Sequence, residues 1–244
     1  MQPGGLLVIS VIIPTLNEGL ELPSTLGTLR ESMVPHELVV VDAGSRDETV
    51  AISQSAGARV IVSPIRHRAH QLNLGAATAR GELLLFLHAD THLPPGALEH
   101  IQTAMTGPAK GSPGDHRPGG GGFVRHFDSP SLLLRLTCRL AAWRCRRWGW
   151  FLGDQGIFVR RTTFQRLGGF REIALFEDLD FSRRLAKAGP VITLAPGVVT
   201  SARRFAARGA FITTLRDLWL TIQYVAGRDP DKIRARMARR RGAK

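Results

Sequence analysis

The segment Glu82-Leu-Leu-Leu-Phe-Leu-His88-Ala89-Asp90-Thr91 runs five consecutive apolar residues into a histidine and a carboxylate two positions apart. Such a run reads as a strand buried on both faces, and Pro94-Pro95 breaks the chain soon after it. A carboxylate at the C-terminal end of a buried parallel strand stands where open α/β sheets bind their ligands. Asp90 in that place suits a hard divalent cation that clamps a diphosphate. Taken alone, Asp90 is explained equally well as the cap of the next helix.

Other polar groups also stand where apolar runs stop. In Val11-Ile-Ile-Pro14-Thr15-Leu16-Asn17-Glu18, Pro14 ends a strand and Thr15, Asn17 and Glu18 offer polar atoms at a sheet edge. A turn followed by a capped helix explains Asn-Glu as simply. In Val39-Val-Val-Asp42-Ala43-Gly44-Ser45-Arg46-Asp47, Asp42 ends a buried run, Gly44 permits a tight turn and Ser45 or Asp47 can cap a helix. The Asp42 carboxylate can accept a hydrogen bond from a nucleobase N–H. Arg66-His67-Arg68-Ala69-His70-Gln71 opens a helix, where cationic and amide groups suit a diphosphate. A solvated basic turn is the plainer alternative. Later, Gly153-Asp154-Gln155-Gly156 precedes a strand, and Phe176-Glu177-Asp178-Leu179-Asp180 opens a helix whose macrodipole by itself favours paired acids.

The elements that must position these residues can be read from hydrophobic pattern. Val8–Ile13, Leu38–Val41, Arg59–Val62 and Leu83–Leu87 read as buried strands, and they alternate with helical segments near 19–32, 46–56 and 67–80. That alternation predicts βαβ units and a parallel sheet. Residues 107–122 are too rich in Gly and Pro for a helix or central strand and read as an exposed loop, a candidate lid or a plain linker. Beyond it the pattern predicts a strand over 123–127, a helix near 130–147, a strand at Ile157–Arg160, a helix near 177–188 and an extended piece near 190–200. Phe211, Ile212, Leu215, Leu218, Trp219, Ile222 and Val225 fall at helical spacing, and this stripe is expected to pack on the domain, an interfacial helix being the alternative.

A chain of 244 residues with 43% hydrophobic content can bury a substantial core. It has no apolar run of membrane-spanning length and no recognisable secretory signal, and its two cysteines, Cys138 and Cys145, fit idle buried thiols in a reducing compartment. A cytoplasmic protein is expected. The net charge is +13, and residues 228–244 hold eight Lys or Arg against two Asp. Such a tail suits weak contact with an anionic membrane, peripheral at its inner face. Nucleic acid is not an expected partner, because the chain is only 7% aromatic and the tail has no interleaved aromatic residues. A nucleotidyltransferase is the rival enzyme class, but it would place a Gly-rich basic loop where this chain has Pro14-Thr-Leu-Asn-Glu18.

In order and spacing these motifs together resemble the family 2 glycosyltransferases, from Ser10 to about residue 204. The resemblance implies an α/β GT-A (Rossmann-like) three-layer fold with a mostly parallel central sheet, plus C-terminal helices. It implies a domain over 1–204, with a nucleotide-sugar-binding half (1–106), a flexible loop (107–122) and an acceptor and catalytic half (123–204); an amphipathic helix and basic tail complete the chain over 205–244. By the same resemblance, Thr15, Glu18 and Asp42 hold the nucleoside of a nucleoside diphosphate sugar, UDP-sugars being favoured, and Arg68 lies near its diphosphate. Asp90 matches the last carboxylate of an Asp-x-Asp motif that binds Mn²⁺ or Mg²⁺. Pro14, Asn17, Gln71, His88 and Ala89 complete the implied donor site. Asp178 is implied as catalytic base, with Glu177 the second choice, in an inverting single displacement; Asp154, Gln155, Arg203 and Arg204 are acceptor-side candidates. Two departures stand out: Ala43 and His88 occupy positions where the family often has Asp. Further motifs, including Thr200-Ser-Ala-Arg-Arg204, resemble a small bacterial subgroup linked to arsenosugar biosynthesis or labelled by similarity to carotenoid-acid glucosyltransferases. A lipid, a glycan or a small metabolite would serve as acceptor.

Overall fold

A computed structural model describes residues 6–107 and 117–242. Its first half alternates strands β1 (Ile9–Thr15), β2 (His36–Asp42), β3 (Arg59–Val62) and β4 (Leu83–Phe86) with helices α1 (Leu22–Gly27), α2 (Thr49–Ser55) and α3 (Arg68–Thr78). The expected helix over 19–32 shrinks to α1, which has Pro23 at its start and ends at Gly27. Strand β5 (Thr91–His92) and helix α4 (Ala97–Thr106) come next. The second half contains β6 (Gly120–Phe127), α5 (Leu132–Trp148), β7 (Ile157–Arg160), α6 (Arg161–Arg166), α7 (Glu177–Ala188) and β8 (Val191–Thr200). Helices α8 (Arg203–Arg208), α9 (Ala210–Val225) and α10 (Pro230–Gly242) end the described chain.

The eight described strands form one sheet in the order β3-β2-β1-β4-β7-β6-β8-β5. Pairs β3-β2, β2-β1 and β1-β4 are parallel, as βαβ crossovers require, and β6-β8 is parallel too. Strand β7 runs antiparallel to both β4 and β6. Successive side chains of β1 enter opposite cores: Ile9, Val11 and Ile13 pack with α1 and α4, while Ile12 packs with α3 and α7. Helix α3 lies close on the sheet at Gly75, where a Cβ would come within 2.5 Å of Ile12 and 3.0 Å of Val41. The result is a three-layer sandwich of helices on both faces of a mostly parallel sheet.

Two expectations need correction. Most of the expected loop 107–122 lies outside the described residues, but Gly120, Gly121 and Gly122 form the start of β6, in the interior of the sheet. Glycine is required there by close approach, since a Cβ on Gly121 would overlap the Ile192 carbonyl oxygen. The apolar stripe of α9 does not pack on the domain: Ile212 is 69% exposed and Phe211 64%, whereas Thr213, Leu220 and Gln223 are buried. Periodicity locates an apolar face without stating what covers it. No helix among the described residues is long and apolar enough to cross a membrane.

Candidate functional site

The parallel strands deliver their polar ends to one edge. Thr15 and Asp42 end β1 and β2 in direct register, and the Thr15 hydroxyl donates to Asp42 Oδ1 at 3.0 Å. The turn after β2 folds back on the same carboxylate: Oδ2 accepts from the Gly44 and Ser45 amides at 2.9 and 2.8 Å, and Oδ1 from the Ser45 hydroxyl at 2.5 Å. Four protein donors thus fill the buried Asp42 carboxylate. Asn17 takes a left-handed backbone (φ 56°) and braces the same turn, its amide N–H donating to Ser45 Oγ and its Oδ1 accepting from the Arg46 amide, each at 2.8 Å. Pro14 pairs with Val41 inside the sheet. Buried Gln71, reaching from α3, donates to the backbone oxygens of Thr15 and Val41 at 3.0 and 2.7 Å, so its amide N–H groups tie β1 to β2.

A second group of residues converges beyond the end of β4. Arg68, the first residue of α3, donates from Nε to Glu177 Oε1 at 2.5 Å and lies 3.9 Å from Asp178 Oδ2. Its Nη1 faces His88 Nε2 at 3.4 Å, so the ring accepts there and carries its proton on Nδ1. Burial and the Arg68 charge hold His88 down to about 4, which leaves the ring neutral at pH 7. Asp178 accepts from the Gly153 amide at 2.6 Å, and its second oxygen accepts from the Leu179 amide at 2.6 Å. Burial and the neighbouring Glu177 charge push Asp178 up to about 6. Burial acts on Glu177 in the same direction, but the charge and hydrogen bond of Arg68 outweigh it and hold Glu177 below the usual carboxylate range.

Why this cluster stays tight is visible at Gly153, on the one-turn 3-10 helix Gly153–Gln155: a Cβ there would lie 2.5 Å from His88 Nε2 and 3.1 Å from Asp178 Oδ2. Next to it, Asp154 pairs with Arg125 of β6. Burial opposes ionisation of Asp154, but the Arg125 guanidinium holds it below the usual range. Asp154 Oδ1 is buried without a hydrogen-bond partner among the described residues, which leaves an acceptor lone pair beside the Arg68–His88–Asp178 cluster. Sequence reasoning missed Arg125, which no local pattern marks, and the role of the Gly153 amide, although the Gly153-Asp154-Gln155-Gly156 motif marks its turn.

The remaining candidates divide. Arg203, at the start of α8, meets Glu18 Oε2 at 2.8 Å, Asp90 Oδ2 at 3.5 Å and Glu21 Oε1 at 3.7 Å, so one guanidinium serves three carboxylates. Burial raises the Asp90 pKa and Arg203 opposes that rise. Ala89 is buried, and its carbonyl accepts from the Thr25 hydroxyl at 2.7 Å. Arg204 turns away to Asp217 on α9 at 2.6 Å. Gln155 does not face an acceptor: it is fully buried, donates to the Phe123 carbonyl at 2.9 Å and accepts from Arg144 at 2.8 Å and the Leu152 amide at 3.0 Å. Its polarity serves the core, because a buried amide must be satisfied internally.

No three His, Cys, Asp or Glu side chains gather as a metal cage among the described residues. Asp90 fits a cation differently. Its nearest charge partner stands 3.5 Å away, so a divalent ion could share the carboxylate with diphosphate oxygens and water, the mode Mg²⁺ favours.

The model of the family described as Glycosyl transferase family 2 matches residues 10–168. A relative in Mycobacterium tuberculosis, named PGL/p-HBAD biosynthesis glycosyltransferase, is 39% identical over 215 residues, covering 80% of this chain and 75% of the relative. Among solved structures, a mannosyltransferase from Pyrobaculum calidifontis in complex with GDP-Man and Mn²⁺ matches with a TM-score of 0.59 at 24% identity, over 79% of this chain and 56% of that one. S. aureus TarS in complex with UDP-GlcNAc matches with a TM-score of 0.58 at 18% identity, over 79% of this chain and 58% of that one. The present chain therefore spans little more than half of either solved chain, and both likenesses show the GT-A fold.

Proposed function

Because the chain belongs to glycosyl transferase family 2, we propose that it moves a sugar from a nucleoside diphosphate sugar, UDP-linked for preference, to an acceptor hydroxyl or carboxyl with inversion at the anomeric carbon. What carries this reading is Asp178, a carboxylate pushed up to about 6, buried beside Arg68 and fixed by the Gly153 amide at 2.6 Å. A base of that pKa is ionised at pH 7 yet still takes a proton readily.

Arg68 stands where negative charge grows on the departing diphosphate, and its pairing with Glu177 holds the guanidinium in place. Mn²⁺ or Mg²⁺, held by Asp90 and the donor's own phosphates, would supply further charge neutralisation when bound. The acceptor's proton passes to Asp178 as its oxygen attacks the anomeric carbon and the bond to the diphosphate breaks. Neutral His88 offers an imidazole in place of the more usual carboxylate and adds no negative charge beside the phosphates. Asp154, paired with Arg125, holds the turn that presents the Gly153 amide to Asp178. Here the acceptor is defined by its reacting group, which a lipid, a glycan and a small metabolite such as an arsenosugar precursor all carry.

Calorimetry with UDP, GDP, CDP, ADP and dTDP, with and without Mn²⁺, tests the donor half. Metal-dependent binding of UDP in preference to the others, lost in Asp90→Ala, is expected. Folded wild-type protein that binds none of the five would overturn the proposal.

A further inference from the structure

Two helices of this protein expose apolar faces and join. On α9, Phe211, Ile212, Leu215, Leu218, Trp219 and Ile222 are each 50 to 69% exposed. On α5, Leu132, Leu136, Leu140 and Trp143 fall on one helical row and are 51 to 77% exposed. The two helices pack against each other, which brings the two exposed rows onto neighbouring elements. Beside the apolar row of α5, Arg135, Arg139 and Arg146 form a second exposed row. Helix α5 contains no acidic residue, and the single acid of α9, Asp217, is paired with Arg204 and Arg216.

The surface ends in a tryptophan cluster and a basic cavity. Trp143 stacks edge-on with Trp148 at 4.8 Å, and Trp148 lies 5.2 Å from Trp150. The Arg183 guanidinium covers the Trp150 ring at 4.8 Å and lies 5.9 Å from the Tyr224 ring. Arg183 and Tyr224 in turn line a cavity of about 430 Å³, where Arg171, Arg184, Lys187 and Arg228 add cations against the carboxylates of Asp180 and Asp229. Asp180 is occupied by Arg171 and Arg184, and Asp229 accepts the Asp231 amide at 2.8 Å. No ion pair joins Arg183, Lys187 or Arg228 to a carboxylate among the described residues. Five cations against two carboxylates leave the cavity positive, a site for an anion with several oxygens.

We propose that the joined α5–α9 face and its basic cavity seat this chain on an anionic phospholipid surface, with a headgroup phosphate in the cavity. Apolar rows beside arginines, with tryptophans at the margin, match the boundary between acyl chains and headgroups. A second copy of the chain suits the surface less well, because it would bring the arginine rows of two α5 helices together. The surface lies on the helices and takes in only the first residues of the basic segment 228–244, at the cavity, and the proposal does not depend on the transfer reaction. Trp148 and Trp150 precede Gly153 and Asp154 in the chain by a few residues, so the bilayer would meet the protein beside the candidate site.

Flotation of the full chain with vesicles of phosphatidylcholine, alone or mixed with phosphatidylglycerol, tests this directly. Wild type should float with the mixed vesicles. Leu215→Glu with Leu218→Glu, exposed positions whose variant can be checked for native circular dichroism, should weaken that association about tenfold or more. Arg183→Gln with Lys187→Gln and Arg228→Gln should abolish the preference for anionic vesicles, whereas Arg239→Gln with Arg240→Gln and Arg241→Gln should leave most binding intact. Wild type that floats with neither vesicle overturns the proposal, and a dimer dissociated by the α9 pair would then assign the face to a second copy. Flotation lost in the tail variant and intact in the α9 pair also overturns it.

Discussion

Arg68 Nε lies 2.5 Å from Glu177 Oε1, across 109 residues of chain, and this contact joins the helix that would meet the diphosphate to the helix that carries the acid pair. Both α3 and α7 begin at the same sheet edge, so a cation at the start of one sits on carboxylates at the start of the other. Replacing Arg68 with Gln should lower kcat/KM for transfer by about 10²-fold or more, the usual scale for losing one positioned charge stabiliser. Steady-state kinetics alongside thermal melts would separate that loss from unfolding.

The pH dependence is set by Asp178. With its pKa pushed up to about 6, the carboxylate is ionised above that value, so activity should rise with pH through about 6 and then level. A rate profile of kcat/KM in wild type, compared with Asp178→Glu, checks the position of that limb. An activity that falls between pH 5 and 7 would contradict the assignment.

Stability should move the opposite way. An ordinary Asp titrates near 3.8 in the unfolded chain, whereas folded Asp178 holds its proton up to about 6. Between those values the folded state binds more protons, so this group's contribution declines as pH rises from about 4 to 6 and stays reduced above. Asp178→Asn has no carboxyl to titrate, so its stability relative to wild type should rise between pH 4 and pH 7, whatever it loses by offering one oxygen to the Gly153 and Leu179 amides. Chemical denaturation at the two pH values measures it.

Much of this site is legible in the sequence, and the remainder is instructive. The buried runs ending at Thr15, Asp42 and Leu87 announce parallel strands, because continuous Val, Ile and Leu segments have few other homes. Arg68, His88, Glu177 and Asp178 are marked by their motifs and lie together. The strand start at Gly120–Gly122 is not legible, since glycine carries no hydrophobic signal and is there for the close approach of β7 to Gly120, β8 to Gly121 and the Phe151 ring to Gly122. Nor is the direction of the α9 face, because a helical stripe looks the same packed or bare. Gln155 reads as a polar loop residue, and only three dimensions reveal the Phe123 and Arg144 groups that satisfy it.

The Arg125–Asp154 pair, also invisible to local pattern, supports the loop that presents Gly153. Arg125→Ala would leave a buried carboxylate without its cation and should cost about 3–5 kcal/mol of stability. Arg125→Ala combined with Asp154→Ala should recover part of that loss, because the second change removes the stranded charge. Denaturant midpoints of the two variants check the order.

Gly153 tolerates no side chain without moving its neighbours: a Cβ would come 2.5 Å from His88 Nε2 and 3.1 Å from Asp178 Oδ2. Gly153→Ala should lower kcat about tenfold or more through displacement of the base, with donor affinity little changed. Calorimetry of UDP binding beside turnover separates the two effects.

The central claim is that Asp178 takes the acceptor's proton, and the most direct measurement compares UDP release from a panel of UDP-sugars by wild type and Asp178→Asn, with donor binding measured on the same samples. The variant should bind UDP with Mn²⁺ as wild type does and release UDP at least about 10²-fold more slowly. A folded Asp178→Asn that binds donor and turns over at the wild-type rate would contradict the account and move the base elsewhere in the cluster.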